Sequence, residues 1–385
     1  MPSLAFFPWL KLNEPTTLGS YRLVPYATKH NVPKDIRRIV SSHKQGRGTP
    51  IDHAVLVEVN GSLEPELTDD QVADIFRLRE LLCFAALATR RFFDHSGYLN
   101  AHSLQCVVQD YKPGEASVAT SARRRDGNNR CLWLDERAVL CPDHVSAGTS
   151  LVYDLAFLTA LLNADGQDES GWLRDGVELY NLANTDSPDV RPHTELVLCV
   201  AATQRFMGAE KRSNARELAS GFDELLSTRV PAARGLTDCK RDGVANLTKA
   251  RALREVWFDD FYASRGVVAH GRPAGKPRST WTIMEHLLLA SFIIPRLVMV
   301  RLANEKRYEL TERDTDELAA FDYLLCEADL TTQRNTEEIP EWPWREALHD
   351  ASRDRHRARF HSALAVGLFN DLAAELFDGN GPEEA

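Results

Sequence analysis

The chain has 385 residues, 43% of them apolar and 26% charged, with a net charge of −10. That length buries a substantial core and favours two or three domains, and the composition excludes a disordered or low-complexity chain. The acidic balance excludes a general nucleic-acid coat. The seven cysteines, Cys83, Cys106, Cys131, Cys141, Cys199, Cys239 and Cys326, are odd in number and unpatterned. They point to a reducing, cytoplasmic setting. The stretch Met1 to Lys11 lacks a basic start and a long apolar run, so no signal peptide is expected. The longest apolar run, Leu287 to Val300, falls short of the roughly 20 residues a bilayer needs and is interrupted by Pro295 and Arg296. It reads as a buried core helix, and no membrane association is expected.

Residues 1 to 65 read as mixed and mainly extended. Tyr21 to Tyr26 and Ala54 to Val59 are strand-like, and the basic stretch His43 to Gly48 between them reads as a loop. Thr68 with Gln71 forms a capping-box pattern opening a helix that runs to about Asp94. Leu104 to Val108 and Cys131 to Leu134 read as extended, joined by a turn over Arg123 to Arg130. After Pro142 the pattern turns helical, with segments at Leu151 to Asn163 and Trp172 to Asn184. The next is Glu195 to Met207, capped by Thr194, and Asn214 to Leu226 follows. A polar loop, Ser227 to Gly243, precedes a helix over about Ala245 to Ala269, and Trp281 to Leu302 follows. Asp316 to Glu327 is a weaker helix. Ile339 to Trp344 is a Pro/Trp-rich linker, and Arg345 to Phe377 is a final helix. The expected fold is α+β overall and mostly α. It comprises a mixed N-terminal domain (1–145, a sensor or substrate region), a helical domain (146–305), and a linker with a C-terminal helix packing on the core (306–385). No internal repeat is present.

Charge is unevenly placed. Residues 205 to 278 hold fifteen Lys/Arg against nine Asp/Glu, a basic island suited to an anion. Within it, Leu253, Val256, Trp257 and Phe261 recur at helical spacing and define a buried stripe. Continued by one turn, that stripe reaches Arg265. His270 follows five positions later, then Gly271. Arg and His together suit metal-free chemistry on a phosphodiester: His moves protons near neutral pH, and Arg holds a phosphate through paired charge-assisted bonds. Two residues five apart on a helix differ by about 140° in direction. Arg265 and His270 therefore share a site only if the helix loosens at its end or two copies of the chain combine. The basic loop after His270 offers Arg272, Lys276 and Arg278 as further phosphate contacts. The plain alternative is a helix stop at Gly271, with Arg265 paired to Asp260 or a distant carboxylate.

Other constellations carry less. Arg90 to His95 repeats the spacing outside the bundle pattern and reads as chance, and Arg353 to His361 reads as a solvated basic face. Cys131, Cys141 and His144, with Cys106, sketch a zinc set but lack a tight Cys-x2-Cys spacing, so buried thiols are expected there and no metal. There is no Gly-rich nucleotide loop, no Gly-x-Ser-x-Gly and no His-Glu-x-x-His.

The order of segments around the motif adds to this. An apolar helix (Glu195 to Met207) precedes Arg-Glu-Leu-Ala-x-x-Phe (Arg216 to Phe222). A variable loop follows, then Phe-Tyr-x-x-Arg-x-x-Val-x-His-Gly and a long apolar helix. This arrangement, about 165 to 305, resembles the HEPN superfamily and its ApeA-like branch in particular. The matching residues are Tyr262, Arg265, Val267, Val268, His270 and Gly271. The resemblance implies a helical bundle acting as a homodimeric, metal-independent ribonuclease without a cofactor. In it His270 moves protons while a ribose 2′-hydroxyl attacks its own phosphate, Arg265 stabilises the developing charge, and Tyr262 helps bind RNA. It also implies a bacterial role in antiviral defence or toxin–antitoxin systems, with an antitoxin or a phage trigger as partner. Two positions depart from the family pattern. Gly266 stands where active members often carry a polar residue, and Gln204 where an acidic residue is common. Both leave open an inert module that binds nucleotide, RNA or protein.

Overall fold

The computed structural model describes residues 1–27, 32–46, 48–94, 98–115, 117–120, 130–133, 138–208, 214–232, 239–269, 279–333 and 342–378. Its first half is built on a sheet. The elements run β1 (Ser3–Phe7), β2 (Leu10–Lys11), β3 (Thr16–Leu18), β4 (Tyr21–Ala27), α1 (Lys34–Ser41), β5 (His43–Lys44), β6 (His53–Val59) and α2 (Asp69–Ala88). A 3-10 turn (Ala101–Leu104) leads to β7 (Val107–Tyr111), β8 (Ser117–Thr120), β9 (Arg130–Trp133), β10 (Val139–Leu140) and β11 (Thr149–Ser150). Seven strands form one antiparallel sheet in the order β3-β4-β6-β1-β7-β8-β9.

The two central strands are buried on both faces, which is why Leu4 to Phe7 and Ala54 to Val57 read as unbroken apolar runs. Alternation still sorts them. Ala5, Phe7, Val55 and Val57 belong to the large core that includes the buried face of α2, whereas Leu4, Phe6, Ala54 and Leu56 belong to a smaller core containing Ile36, Ile39 and Val40 of α1. Helix α1 lies within residues 1 to 65, which read as mainly extended, and the start of the loop expected at His43 is the short strand β5. The basic residues of α1 hid its i, i+3, i+4 apolar stripe. The capping box at Thr68 and Gln71 is formed, but α2 ends at Ala88 rather than near Asp94.

The second half is helical: α3 (Leu155–Asp165), α4 (Trp172–Ala183), α5 (Pro192–Phe206), α6 (Ala215–Ser227), α7 (Val244–Leu247), α8 (Leu253–Ala269), α9 (Ile283–Asn304), α10 (Glu312–Cys326) and α11 (Pro343–Asp378). Two boundaries differ from expectation. Helix α5 starts at Pro192, a residue suited to the first helical turn, so Thr194 is not its cap. The expected helix over Ala245 to Ala269 is two helices, α7 and α8. Helix α5 packs against α4, α8 and α9, while α6 packs on α8. At the α4–α5 crossing Gly176 faces the Phe206 ring so closely that a Cβ would run into it.

Helix α9 is long and apolar enough to cross a bilayer, but most of it is buried within the bundle, Glu285, His286 and Arg296 included. It continues through Pro295. A proline there has no N–H for the carbonyl of Ser291, and the Tyr180 hydroxyl donates to that carbonyl instead (2.8 Å). The core is continuous from Ala5 to Ala347 and crosses the expected domain boundaries. Helix α2 leans on α4 and α9 and joins sheet to bundle. The described end of the Pro/Trp segment packs on the core: Trp342 stacks on Phe93 (4.2 Å), and Trp344 meets Phe92 (5.1 Å) and Phe292 (5.3 Å).

Candidate functional site

The buried face of α8 is aromatic. Trp257 stacks on Phe261 (centroids 5.0 Å apart), Phe258 stacks on Phe222 of α6 (4.9 Å), and Trp257 meets Phe321 of α10 edge-on (5.2 Å). Leu253, Val256, Trp257 and Phe261 are all buried, as their spacing required. One turn further on, Arg265 is half buried. Its Nε is fully buried and has no hydrogen-bond partner among the described residues, and the guanidinium lies 5.4 Å from the Tyr262 ring centroid. Among the described residues no carboxylate pairs with it.

The pairing of Arg265 with Asp260 that the sequence left open is not made. Asp260 is engaged elsewhere: its Oδ2 accepts from Ser279 Oγ (3.1 Å) and from the backbone N–H groups of Thr280 (2.9 Å) and Trp281 (3.3 Å). The buried His286 Nε2 lies 3.6 Å from the same carboxylate. Arg241 adds a second clamp. It donates to the carbonyls of Thr280 (2.8 Å) and Glu327 (2.9 Å) and forms a buried ion pair with Glu285. The chain leaving α8 is therefore fastened where it re-enters α9. His270, Arg272, Lys276 and Arg278 fall between these points and lie outside the described residues.

Much of the basic island is neutralised by carboxylates. Arg254 pairs with Asp322, Arg251 with Glu255 and Asp259, Lys240 with Glu327 and Arg205 with Asp175. Arg265 differs from these in kind, since a buried donor without a partner is costly. The two positions that depart from the family pattern are also visible. Gln204 is half buried on α5, and no described atom lies within 4 Å of a Cβ built at Gly266. Since Gly inside a helix costs stability, Gly266→Ala is expected to stabilise the protein by about 0.5–1 kcal/mol. Thermal unfolding checks this, and a lowered melting temperature would contradict the open surroundings.

A second polar cluster, not anticipated, lies where the sheet half meets the bundle. Arg90, just past the end of α2, is 8% exposed. It donates to Asn184 Oδ1 (2.7 Å) and lies over the rings of Phe92 (4.7 Å) and Tyr98 (5.5 Å), while its Nε has no hydrogen-bond partner among the described residues. The Tyr98 hydroxyl donates to Asp186 (2.7 Å), whose backbone is left-handed (φ 52°). His102 Nδ1 and His144 Nε2 are 2.7 Å apart. Burial, the His144 charge and Arg79 hold the His102 imidazole below its ordinary range. Of the zinc set weighed from the sequence, the Cys131 side chain lies outside the described residues, His144 is turned to His102, and the Cys141 thiol donates to the Val145 carbonyl. Only the spacing of Arg90 to His95 hinted at this cluster, and spacing alone does not reveal burial.

Glu195, at the start of α5, has its carboxyl pushed up to about 7, first by burial and then by Asp186, against the opposing pull of Arg90. Between the ordinary value of 4.5 and about 7 the folded state holds a proton that the unfolded state has lost. Stability therefore falls as pH rises through that window. Glu195→Gln is expected to remove this slope and to stabilise the protein above the window by on the order of 1 kcal/mol, discounted because the group is half exposed. Urea midpoints across the window test this, and parallel curves for the two proteins would refute it.

Comparison with known protein families, characterised proteins and solved structures found no match.

Proposed function

We propose that this chain is a metal-independent endoribonuclease of the HEPN type, cytoplasmic and dimeric, with Arg265 and His270 as its catalytic pair. The observation that supports this most is the Arg265 guanidinium. It stands at the end of an aromatic-faced helix, half buried and without a carboxylate among the described residues, in a region whose other buried arginines are paired. Such a group is suited to a phosphate with increased negative charge, since pre-placed donors act most strongly where water is excluded. His270 would take the proton from the ribose 2′-hydroxyl and a proton would be returned to the leaving 5′-oxygen. Arg272, Lys276, Arg278 and Tyr262 would hold the neighbouring backbone and bases. Two copies of the motif facing each other would remove the angular mismatch between positions 265 and 270. A role in bacterial antiviral defence or growth arrest, with an antitoxin or phage component as regulator, follows from the resemblance alone.

The test is RNA cleavage in EDTA by the full chain, compared with Arg265→Ala and His270→Ala. Cleavage by the wild type that both variants lose, with unchanged circular dichroism and sedimentation, is the expected result. Cleavage retained in both variants would overturn the assignment. Absence of cleavage by the folded dimer, with nucleotide or RNA binding retained, would favour the inert binding module that Gly266 and Gln204 suggest.

A further inference from the structure

The described cysteines fall into two chemical groups. Burial pushes the thiols of Cys83, Cys106 and Cys199 up to about 12 and that of Cys141 up to about 11. Thiols of this kind are unreactive, because the thiolate is the nucleophile. Cys239 moves the other way. A hydrogen bond from the Cys326 thiol is the largest cause, and Arg241 helps through its backbone N–H and its charge. Cys326, the donor in that bond, moves up.

The geometry is independent of any titration. Cys239 precedes α7 and Cys326 ends α10, 87 positions apart in the chain, yet Cys239 Sγ lies 3.5 Å from the Cys326 carbonyl oxygen. As a thiol, Cys239 donates to that carbonyl. The backbone on either side is already held together. Lys240 pairs with Glu327 (2.5 Å), and Arg241 Nε donates to the Glu327 carbonyl (2.9 Å). Both cysteines are free and half buried, so a small oxidant can reach them.

We propose that Cys239 and Cys326 form an oxidant-sensitive dithiol, which hydrogen peroxide converts to an intramolecular disulfide. The Cys239 thiolate sulfur attacks one peroxide oxygen. The O–O bond breaks and hydroxide leaves, to be protonated to water, with Cys239 left as sulfenic acid. The Cys326 sulfur then attacks the Cys239 sulfur, the S–S bond forms, the S–O bond breaks, and a second water leaves with the Cys326 proton. Two thiols are oxidised and one peroxide is reduced to two waters. The bond would brace Arg241, two residues after Cys239, and with it the clamp on Thr280 and Glu285 where the chain enters α9.

The experiment treats the reduced full-length chain with hydrogen peroxide and maps its peptides without reduction. A cross-linked peptide joining Cys239 to Cys326, lighter by two hydrogens, is the expected dominant product. In Cys326→Ser the same dose should leave Cys239 as a sulfenic acid trapped by dimedone, and in Cys239→Ser it should leave Cys326 reduced. The proposal is overturned if Cys239 is not trapped in Cys326→Ser. It is equally overturned if Cys239 is trapped there while the wild type yields no 239–326 cross-link, or if Cys326 oxidises without Cys239.

Discussion

Asp322→Ala is expected to lower the unfolding free energy by about 3–5 kcal/mol, the range for removing one partner of a buried ion pair. Arg254 is completely buried, and its Nε and Nη2 reach the two Asp322 oxygens at 2.8 and 3.0 Å. Its Nη1 donates to the Val230 carbonyl (2.8 Å). The pair therefore joins α8 to α10 and to the segment after α6. Truncating the aspartate leaves a cation without its counter-charge and beyond the reach of water. Arg254→Met removes the ion-pair partner of Asp322, a residue only 7% exposed. Replacing both, Arg254→Met with Asp322→Leu, should recover most of the loss, because the desolvation penalty of both charges disappears together. Urea unfolding of the three variants beside the wild type measures this recovery. A cost for Asp322→Ala below about 1 kcal/mol, the range of exposed pairs, would show that water reaches the pair.

What could be read from the sequence follows from how far each signal reaches. Caps are local signals: the box of Thr68 with Gln71 was read from the sequence and is formed, and Asn214 and Thr282 open their helices in the same way with the glutamate three residues on. The α8 stripe was legible because its 3.6-residue period spans two turns of large aromatics. The Arg254–Asp322 pair was not legible, since its partners are 68 residues apart and nothing in either helix marks the other. Nor was the Arg90 cluster, which needs α2, the loop after α4 and the start of α5 to meet. The segment Ile339 to Trp344 read as a Pro/Trp-rich linker. Its packing depends on rings supplied by Phe92, Phe93 and Phe292.

The same contrast between paired and unpaired cations gives the second large effect. Arg265→Met is expected to reduce metal-independent RNA cleavage by about 10²–10³-fold, the usual cost of losing one pre-placed donor to a developing anion. It should leave folding stability unchanged within about 0.5 kcal/mol, unlike Asp322→Ala. The reason is that the Arg265 Nε makes no hydrogen bond among the described residues, so its removal gives up only the guanidinium's place 5.4 Å from the Tyr262 ring centroid. Methionine retains the apolar stem that packs near Tyr262, which isolates the charge from the packing. Arg265→Lys should not restore the rate, since an ammonium cannot present two parallel donors to a phosphate. Single-turnover cleavage and urea unfolding on the same preparations separate the alternatives. A stability loss near that of Asp322→Ala would make Arg265 a structural cation. Full activity in Arg265→Met would remove it from the chemistry whatever its stability.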